Sequence, residues 1–154
     1  MSGASQLRIL VVDDEPHVCA AITRMLSSNC VVETLTSPMD ALPLLGHTHF
    51  DVILVDYSMP ELRGDGLVSI VRLRLPTQPI ILMTGYPDML ECVNHPLPQV
   101  SAILHKPFRA GELREAIDRV LAARAIFSGT SPASAASATP TADSPLPSSL
   151  PNPP

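Results

Sequence analysis

The chain has no tryptophan and few aromatic residues of any kind: two Tyr and three Phe in 154 residues. Any core it builds must therefore be aliphatic. Lysine is nearly absent as well. Lys106 is the only one, and the other basic residues are Arg. Against 10 basic residues stand 15 acidic ones, a formal charge of −5. That balance excludes the basic surface with which proteins neutralise nucleic-acid phosphates. It suits a bound cation, which needs carboxylates. Cys19, Cys30 and Cys92 include no CxxC pair, so neither a disulfide framework nor a zinc site is indicated. Reduced thiols and a cytoplasmic location are expected. No stretch approaches the ~20 apolar residues of a membrane span. Met1 to Gln6 is short and polar, without an apolar signal region. There is no GxxxxGK[ST] loop, no GxGxxG after the first apolar run, no GxSxG elbow and no HExxH. Nothing cradles a nucleotide.

What is present is enough for one packed domain. Hydrophobic residues make up 45% of the chain, and the length suits one domain rather than two. Composition breaks near Phe127. The 27 residues from Ser128 to Pro154 hold seven Pro, seven Ser, five Ala and three Thr, with Asp143 the sole charge. Such a segment cannot offset the entropy of ordering it. The expectation is a disordered N-terminus over 1–6, one domain over 7–127, and a disordered Pro/Ala/Ser tail over 128–154, with no further folded domain.

Residues 7–127 alternate between short apolar runs and helical patterns. The runs are Leu7–Val12, the weaker Cys30–Thr34, Val52–Val55, Pro79–Met83 and Ala102–Leu104. Continuous apolar runs of this length suit strands buried on both faces of a parallel sheet. Val18, Ile22, Met25 and Leu26 fall at helical spacing, as do Leu67, Ile70, Val71 and Leu73. Ser37-Pro38-Met39-Asp40 reads as an N-cap, a Pro at the first helical position and an acid three residues on. Gly46 ends that helix, and Pro43 inside it predicts a short or kinked one. Leu113, Ile117, Val120 and Leu121 mark the last helix, with Arg119 and Arg124 placed near its C-terminus. A helix over Asp88–Val93 is the least marked, because Pro96 and Pro98 follow. The order is βα five times over, which implies a doubly wound α/β sandwich on a central five-stranded parallel sheet.

Four of the runs end in chemistry. Asp13 and Asp14 follow the first, Asp56 the third, Thr84 the fourth, and His105 and Lys106 the fifth. Ligands of open α/β sheets bind beyond the carboxyl ends of the strands. Clustered carboxylates repel, and one would hold its proton unless a cation intervened. Mg²⁺ takes oxygen ligands and keeps open positions for phosphoryl oxygens. Lys106 adds a compact point charge, and Thr84 a hydroxyl. With no nucleotide loop, a carboxylate that accepts a phosphoryl group covalently is left, and Asp56, alone at its strand end, is the candidate. His47-Thr48-His49 reads as polar surface, Cys92 with His95 lacks a second ligand pair, and His105 reads as a sheet-edge side chain.

Together, Val11-Val12-Asp13-Asp14-Glu15, Asp56 with Met59-Pro60 and Gly64, Thr84-Gly85, and Lys106-Pro107-Phe108 resemble the receiver domain of bacterial two-component response regulators, a CheY-like, flavodoxin-like fold. The resemblance covers about Leu7 to Arg124. It implies phosphorylation of Asp56 by a phosphohistidine of a sensor histidine kinase or histidine phosphotransfer protein. It implies that Asp14 and Asp56 ligate Mg²⁺ directly, Asp13 through water, and that the Ser58 carbonyl completes the protein ligands. Thr84 and Lys106 are to contact the phosphoryl group. A phosphoacceptor with slow autodephosphorylation, rather than an enzyme, is implied, acting on a downstream protein through contacts and without an output domain. A homodimer through the fourth helix, fifth strand and last helix fits the same resemblance. One departure is plain: Ile103 stands where receivers usually carry the aromatic switch residue. Pro79…Thr84-Gly85-Tyr86 is similar to a receiver subset, PFxFATG[GY], that also lacks this aromatic, with Leu82-Met83 in place of Phe-Ala. Tyr86 would then either shield the phosphoryl group or cover apolar surface. Two other readings stay open. A phosphohydrolase using an aspartyl-phosphate would want a second acid two residues after Asp56, where Ser58 stands. A receiver-like module that binds without phosphorylation would not need the acids, Thr84 and Lys106.

Overall fold

The computed structural model describes residues 6–86 and 100–129. Its elements are β1 (Leu7–Val12), α1 (Pro16–Leu26), β2 (Cys30–Leu35), α2 (Pro38–Leu45), β3 (Val52–Asp56), α3 (Gly64–Arg74), β4 (Ile80–Thr84), β5 (Ala102–His105) and α4 (Ala110–Gly129). The expected helix over Asp88–Val93 lies outside the described residues, as do residues 130–154 of the expected tail, whereas Ser128 and Gly129, assigned to that tail, close the last helix. All strand pairs are parallel, in the order β2-β1-β3-β4-β5.

Period-2 alternation divides the core into two layers. Ile9, Val11, Val52, Leu54, Ile81 and Met83 face one side, where Cys19, Ile22 and Leu26 of α1 and Leu113, Ile117 and Val120 of α4 cover them. Leu10, Val12, Ile53, Val55, Ile80 and Leu82 face the other, against Ala41 of α2 and Leu67, Val68 and Val71 of α3. The five-stranded doubly wound α/β sandwich is thus as expected.

The continuous apolar runs have the expected two-faced burial in β1 from Ile9 onward, and throughout β3 and β4. They do not have it in β2 and β5, where Val31 and Ile103 are 41% and 40% exposed. These are the sheet's edges, with one neighbouring strand each.

The helices differ from expectation in two places. Leu73 is exposed at 86%, and Val68 takes the buried position instead. Over α3, Leu67, Val68 and Val71 share a stripe at helical spacing, and Leu73 lies two residues on from it. The last helix runs to Gly129, so Arg119 and Arg124 fall short of its final turn. Asp40 sits in the first turn of α2, where Ser37 Oγ accepts the Met39 N–H. As anticipated, α2 is short, eight residues, with Pro38 opening it, Pro43 inside and Gly46 at its C-cap. Among the described residues, no helix is long and apolar enough to cross a membrane.

Candidate functional site

The strand order reverses between β1 and β3, since β2 lies on one side of β1 and the later strands on the other. A crevice opens at such a point beyond the carboxyl ends of the strands, and the acids lie at it. Asp13 follows Val12, its N–H donating to Leu35 O at 3.0 Å. Asp56 is the last residue of β3, paired in register with Met83. The carboxylates of Asp13, Asp14 and Asp56 lie within 4.8 Å of one another, the sole grouping of this kind among the described residues. Asp13 is fully buried and Asp56 is 5% exposed, while Asp14 is half-buried.

One cation holds this cluster together. Lys106 Nζ lies 2.7 Å from Asp13 Oδ2 and 2.7 Å from Asp56 Oδ1. The remaining carboxylate oxygens are tied to backbone: Asp13 Oδ1 accepts Glu15 N–H at 2.9 Å, and Asp56 Oδ2 accepts Ser58 N–H at 3.1 Å. Burial pushes the Asp13 carboxyl above its ordinary value, against the lowering effect of Lys106 and the Glu15 amide. Burial pulls the Lys106 ammonium down. The bonds to Asp13 and Asp56 and the charges of both outweigh it, so Lys106 is held above its ordinary value. Cys19 Sγ completes the back of the site, donating to Asp13 O at 3.4 Å.

Thr84 closes β4 and is fully buried. Its backbone carbonyl accepts Lys106 N–H at 2.7 Å, which joins the β4 and β5 ends. Its hydroxyl oxygen accepts Tyr86 N–H at 3.1 Å. Tyr86 itself is 63% exposed.

The structure thus brings Asp13, Asp14, Asp56 and Lys106 into direct proximity, with Thr84 on the adjoining strand end and Ser58 bonded to Asp56. His47 and His49 are exposed, in the loop after α2, and belong to no metal-ligand grouping among the described residues. His105 is exposed on the edge strand β5. Cys92 and His95 lie outside the described residues. Two residues had no place in the sequence reading. Tyr57, next to Asp56, is 4% exposed, and Arg63 lies over its ring, 4.8 Å from the centroid. The scarcity of aromatics was the signal that could have found Tyr57. The role of Gly64 is also now explicit: a Cβ there would lie 2.3 Å from the Asp56 carbonyl oxygen and 2.9 Å from Tyr57 Cα. A side chain at that position would push on the backbone that carries Asp56.

The donor set is all oxygen, anionic and confined, which fits a hard divalent cation such as Mg²⁺. A close opposing ammonium and a buried hydroxyl fit an anion with several oxygens beside it.

Comparisons with known proteins agree with this geometry. Residues 9–118 match the family model of the response regulator receiver domain. Transcription factor SKN7 of Candida albicans is 32% identical over 110 residues, 70% of this chain and 20% of that protein. Chemotaxis protein CheY of Pseudomonas aeruginosa is 28% identical over 118 residues, 74% of this chain and 95% of that protein. Among solved structures, response regulator protein TrrA from Thermotoga maritima, in complex with Mg²⁺-BeF, superposes with a TM-score of 0.69 at 26% identity, covering 75% of this chain and 100% of that one. The chain spans only 12% to 25% of the length of six curated relatives, the fungal factor included. It spans 95% and 91% of two chemotaxis proteins. With the family model covering residues 9–118, the chain belongs to the response regulator receiver domain family of two-component systems.

Proposed function

We propose that Asp56 is the phosphoacceptor of a cytoplasmic signalling module spanning residues 7–127, and that Lys106 and Thr84 serve the phosphoryl group. The donor is the phosphohistidine of a sensor histidine kinase or histidine phosphotransfer protein. An Asp56 carboxylate oxygen attacks phosphorus. A new O–P bond forms as the donor's N–P bond breaks, and the leaving imidazole takes a proton from water. Hydrolysis, in which water oxygen bonds phosphorus as the Asp56 O–P bond breaks and phosphate and the free carboxylate are released, is slow, so the module is a phosphoacceptor and not a turnover enzyme. Its output passes through contacts with a downstream protein, not nucleic acid, and includes self-association through β5 and the helices flanking it.

The observation that carries this reading is Lys106 Nζ at 2.7 Å from both Asp13 and Asp56. A nucleophilic carboxylate and its charge-balancing cation are already in contact, beside two further acids. Asp14 and Asp56 would hold Mg²⁺ directly, Asp13 through water, with the Ser58 carbonyl as a further ligand. When bound, the ion supplies charge neutralisation for the incoming phosphoryl oxygens. Lys106 balances the charge that Asp56 acquires. Thr84 donates its hydroxyl proton to a phosphoryl oxygen. The phosphohydrolase reading needs an acid where Ser58 stands, and it has none there.

Incubation with a small phosphodonor and Mg²⁺, followed by intact-mass spectrometry, tests the reading. One acyl phosphate is expected on the wild-type chain and none on Asp56→Asn. Continuous turnover of the donor would favour the phosphohydrolase, and full labelling of Asp56→Asn would remove Asp56 from its role.

A further inference from the structure

Arg63 occupies the N-cap position of α3, where Ser, Thr, Asp and Asn are favoured for their side-chain acceptors. It makes no side-chain capping bond. Its guanidinium turns back over the Tyr57 ring at 4.8 Å from the centroid, and Nη2 donates to the Tyr57 hydroxyl. A longer contact of 3.4 Å runs to Asp65. Tyr57 is tied by its backbone too: its N–H donates to Met83 O at 2.8 Å, and its carbonyl accepts Gly64 N–H at 3.0 Å. The loop 58–62 therefore leaves from Tyr57 and is pinned back to Tyr57, by backbone at Gly64 and by side chain at Arg63. Within it, Glu61 has a φ of 60°, a left-handed conformation that residues with a Cβ take at a cost. A loop holding such a residue depends on contacts from outside itself.

The geometry points to Arg63 as a positioning residue: by closing on Tyr57 it holds the Asp56–Ser58 turn in the arrangement that a divalent cation requires. This rests on the reading of the acidic cluster as the Mg²⁺ site. The turn and the carboxylate are coupled, because Asp56 Oδ2 accepts the Ser58 N–H at 3.1 Å. With the loop so held, the three carboxylates already lie within 4.8 Å of one another. Releasing the loop makes ion binding bear an ordering cost that preorganisation removes. The sign is diagnostic. If Arg63 mattered only as a positive charge near the acids, its loss would strengthen Mg²⁺ binding. As a latch, its loss weakens it.

Mg²⁺ titration by calorimetry on the full chain, without a phosphodonor, separates these outcomes. Arg63→Ala is expected to weaken Mg²⁺ binding about threefold, the scale of a partly exposed cation–π contact. Amide exchange at Ser58 and Gly64 should quicken in the metal-free protein, with the urea midpoint close to wild type. Arg63→Lys keeps a cation over the ring but not the planar stack, and Tyr57→Phe keeps the ring but not the hydroxyl. Both should fall between. Asp14→Ala is the control and should lose binding. If Asp14→Ala binds Mg²⁺ like wild type, the metal reading itself fails. If Asp14→Ala loses binding while Arg63→Ala binds as well as wild type or better, the latch is overturned.

Discussion

Lys106 Nζ and Asp13 Oδ2 lie 2.7 Å apart although 93 residues separate them in the chain. The same ammonium reaches Asp56 Oδ1 at 2.7 Å. The single lysine of the sequence is therefore the counterion for two buried acids at once, and its ends of β1, β3 and β5 are bound electrostatically as well as by the sheet.

Removing that cation leaves two carboxylates buried side by side. Losing one partner of a buried pair costs about 3 kcal/mol. Lys106→Met is expected to lower metal-free stability by that order in urea unfolding. Saturating Mg²⁺ should raise its melting temperature more than it raises that of wild type, because the ion takes over the lost counter-charge. Equal stability of Lys106→Met and wild type without Mg²⁺ would show the pair to be energetically idle.

Asp13 and Lys106 are both raised, so the stability each contributes falls as pH rises, in separate acidic and alkaline windows. Asp13 titrates above its unfolded value of 3.8. Between 3.8 and the raised folded value the folded state keeps the extra proton. Stability from this group thus falls as pH rises through that window. Lys106 is raised above 10.5, so its contribution is complete below 10.5 and is lost as pH rises through the folded value. Urea unfolding of the metal-free protein across pH should show both trends. Asp13→Asn should remove the acidic one and retain part of the alkaline one, since Asp56 still pairs with Lys106. An unchanged acidic slope in Asp13→Asn would rule out Asp13 as its source.

Gly64 and Gly111 make a matched pair. A Cβ at Gly64 meets backbone at 2.3 Å, which cannot swing aside. Gly64→Ala is expected to cost about 3 kcal/mol, as overpacking against fixed atoms does, and to slow phosphorylation by displacing Asp56. A Cβ at Gly111, in the first turn of α4, meets nothing within 4 Å, and alanine is the better helix former. Gly111→Ala should stabilise by about 0.5 kcal/mol. Similar urea midpoints for the two variants would contradict this contrast.

Thr84 Oγ1 is committed to the Tyr86 amide at 3.1 Å. If Thr84 serves a phosphoryl group as proposed, a hydroxyl drawn toward a phosphoryl oxygen would pull on that bond, and the response would start in the backbone at Gly85-Tyr86. Ile103 is a β-branched edge residue, stiff at χ1 and 40% exposed, with no hydroxyl or ring to follow. Beryllofluoride with Mg²⁺ is expected to change amide exchange over 84–93 far more than around Ile103. Thr84→Ala should speed Tyr86 exchange about tenfold without any ligand, the scale of one lost hydrogen bond. Ile103→Tyr should disturb partner binding less than Tyr86→Ala does. A dominant exchange change at Ile103, with 84–86 silent, would exclude this route.

Much of the molecule was legible from residue order because its signals are local. Aliphatic runs of strand length, broken by helical spacing and by Pro38 and Gly46, determine five strands and the helices between them. The polar residues that end those runs are placed at one edge by the parallel topology alone, whatever the side chains then do. So Asp13, Asp14, Asp56, Thr84 and Lys106 could be named from sequence. Non-local contacts could not. Whether Leu73 or Val68 faces the core depends on the phase at which α3 packs on β3 and β4, and a helical stripe read from spacing leaves that phase free by a residue. Val31 and Ile103 look like core until the strand order makes β2 and β5 the edges. That Lys106 bridges two acids, that Arg63 folds back on Tyr57, and that Gly64 must lack a Cβ are distances between chain segments. They follow from three-dimensional packing, where a few tenths of an ångström separate contact from clash, and no pattern in the sequence carries that precision.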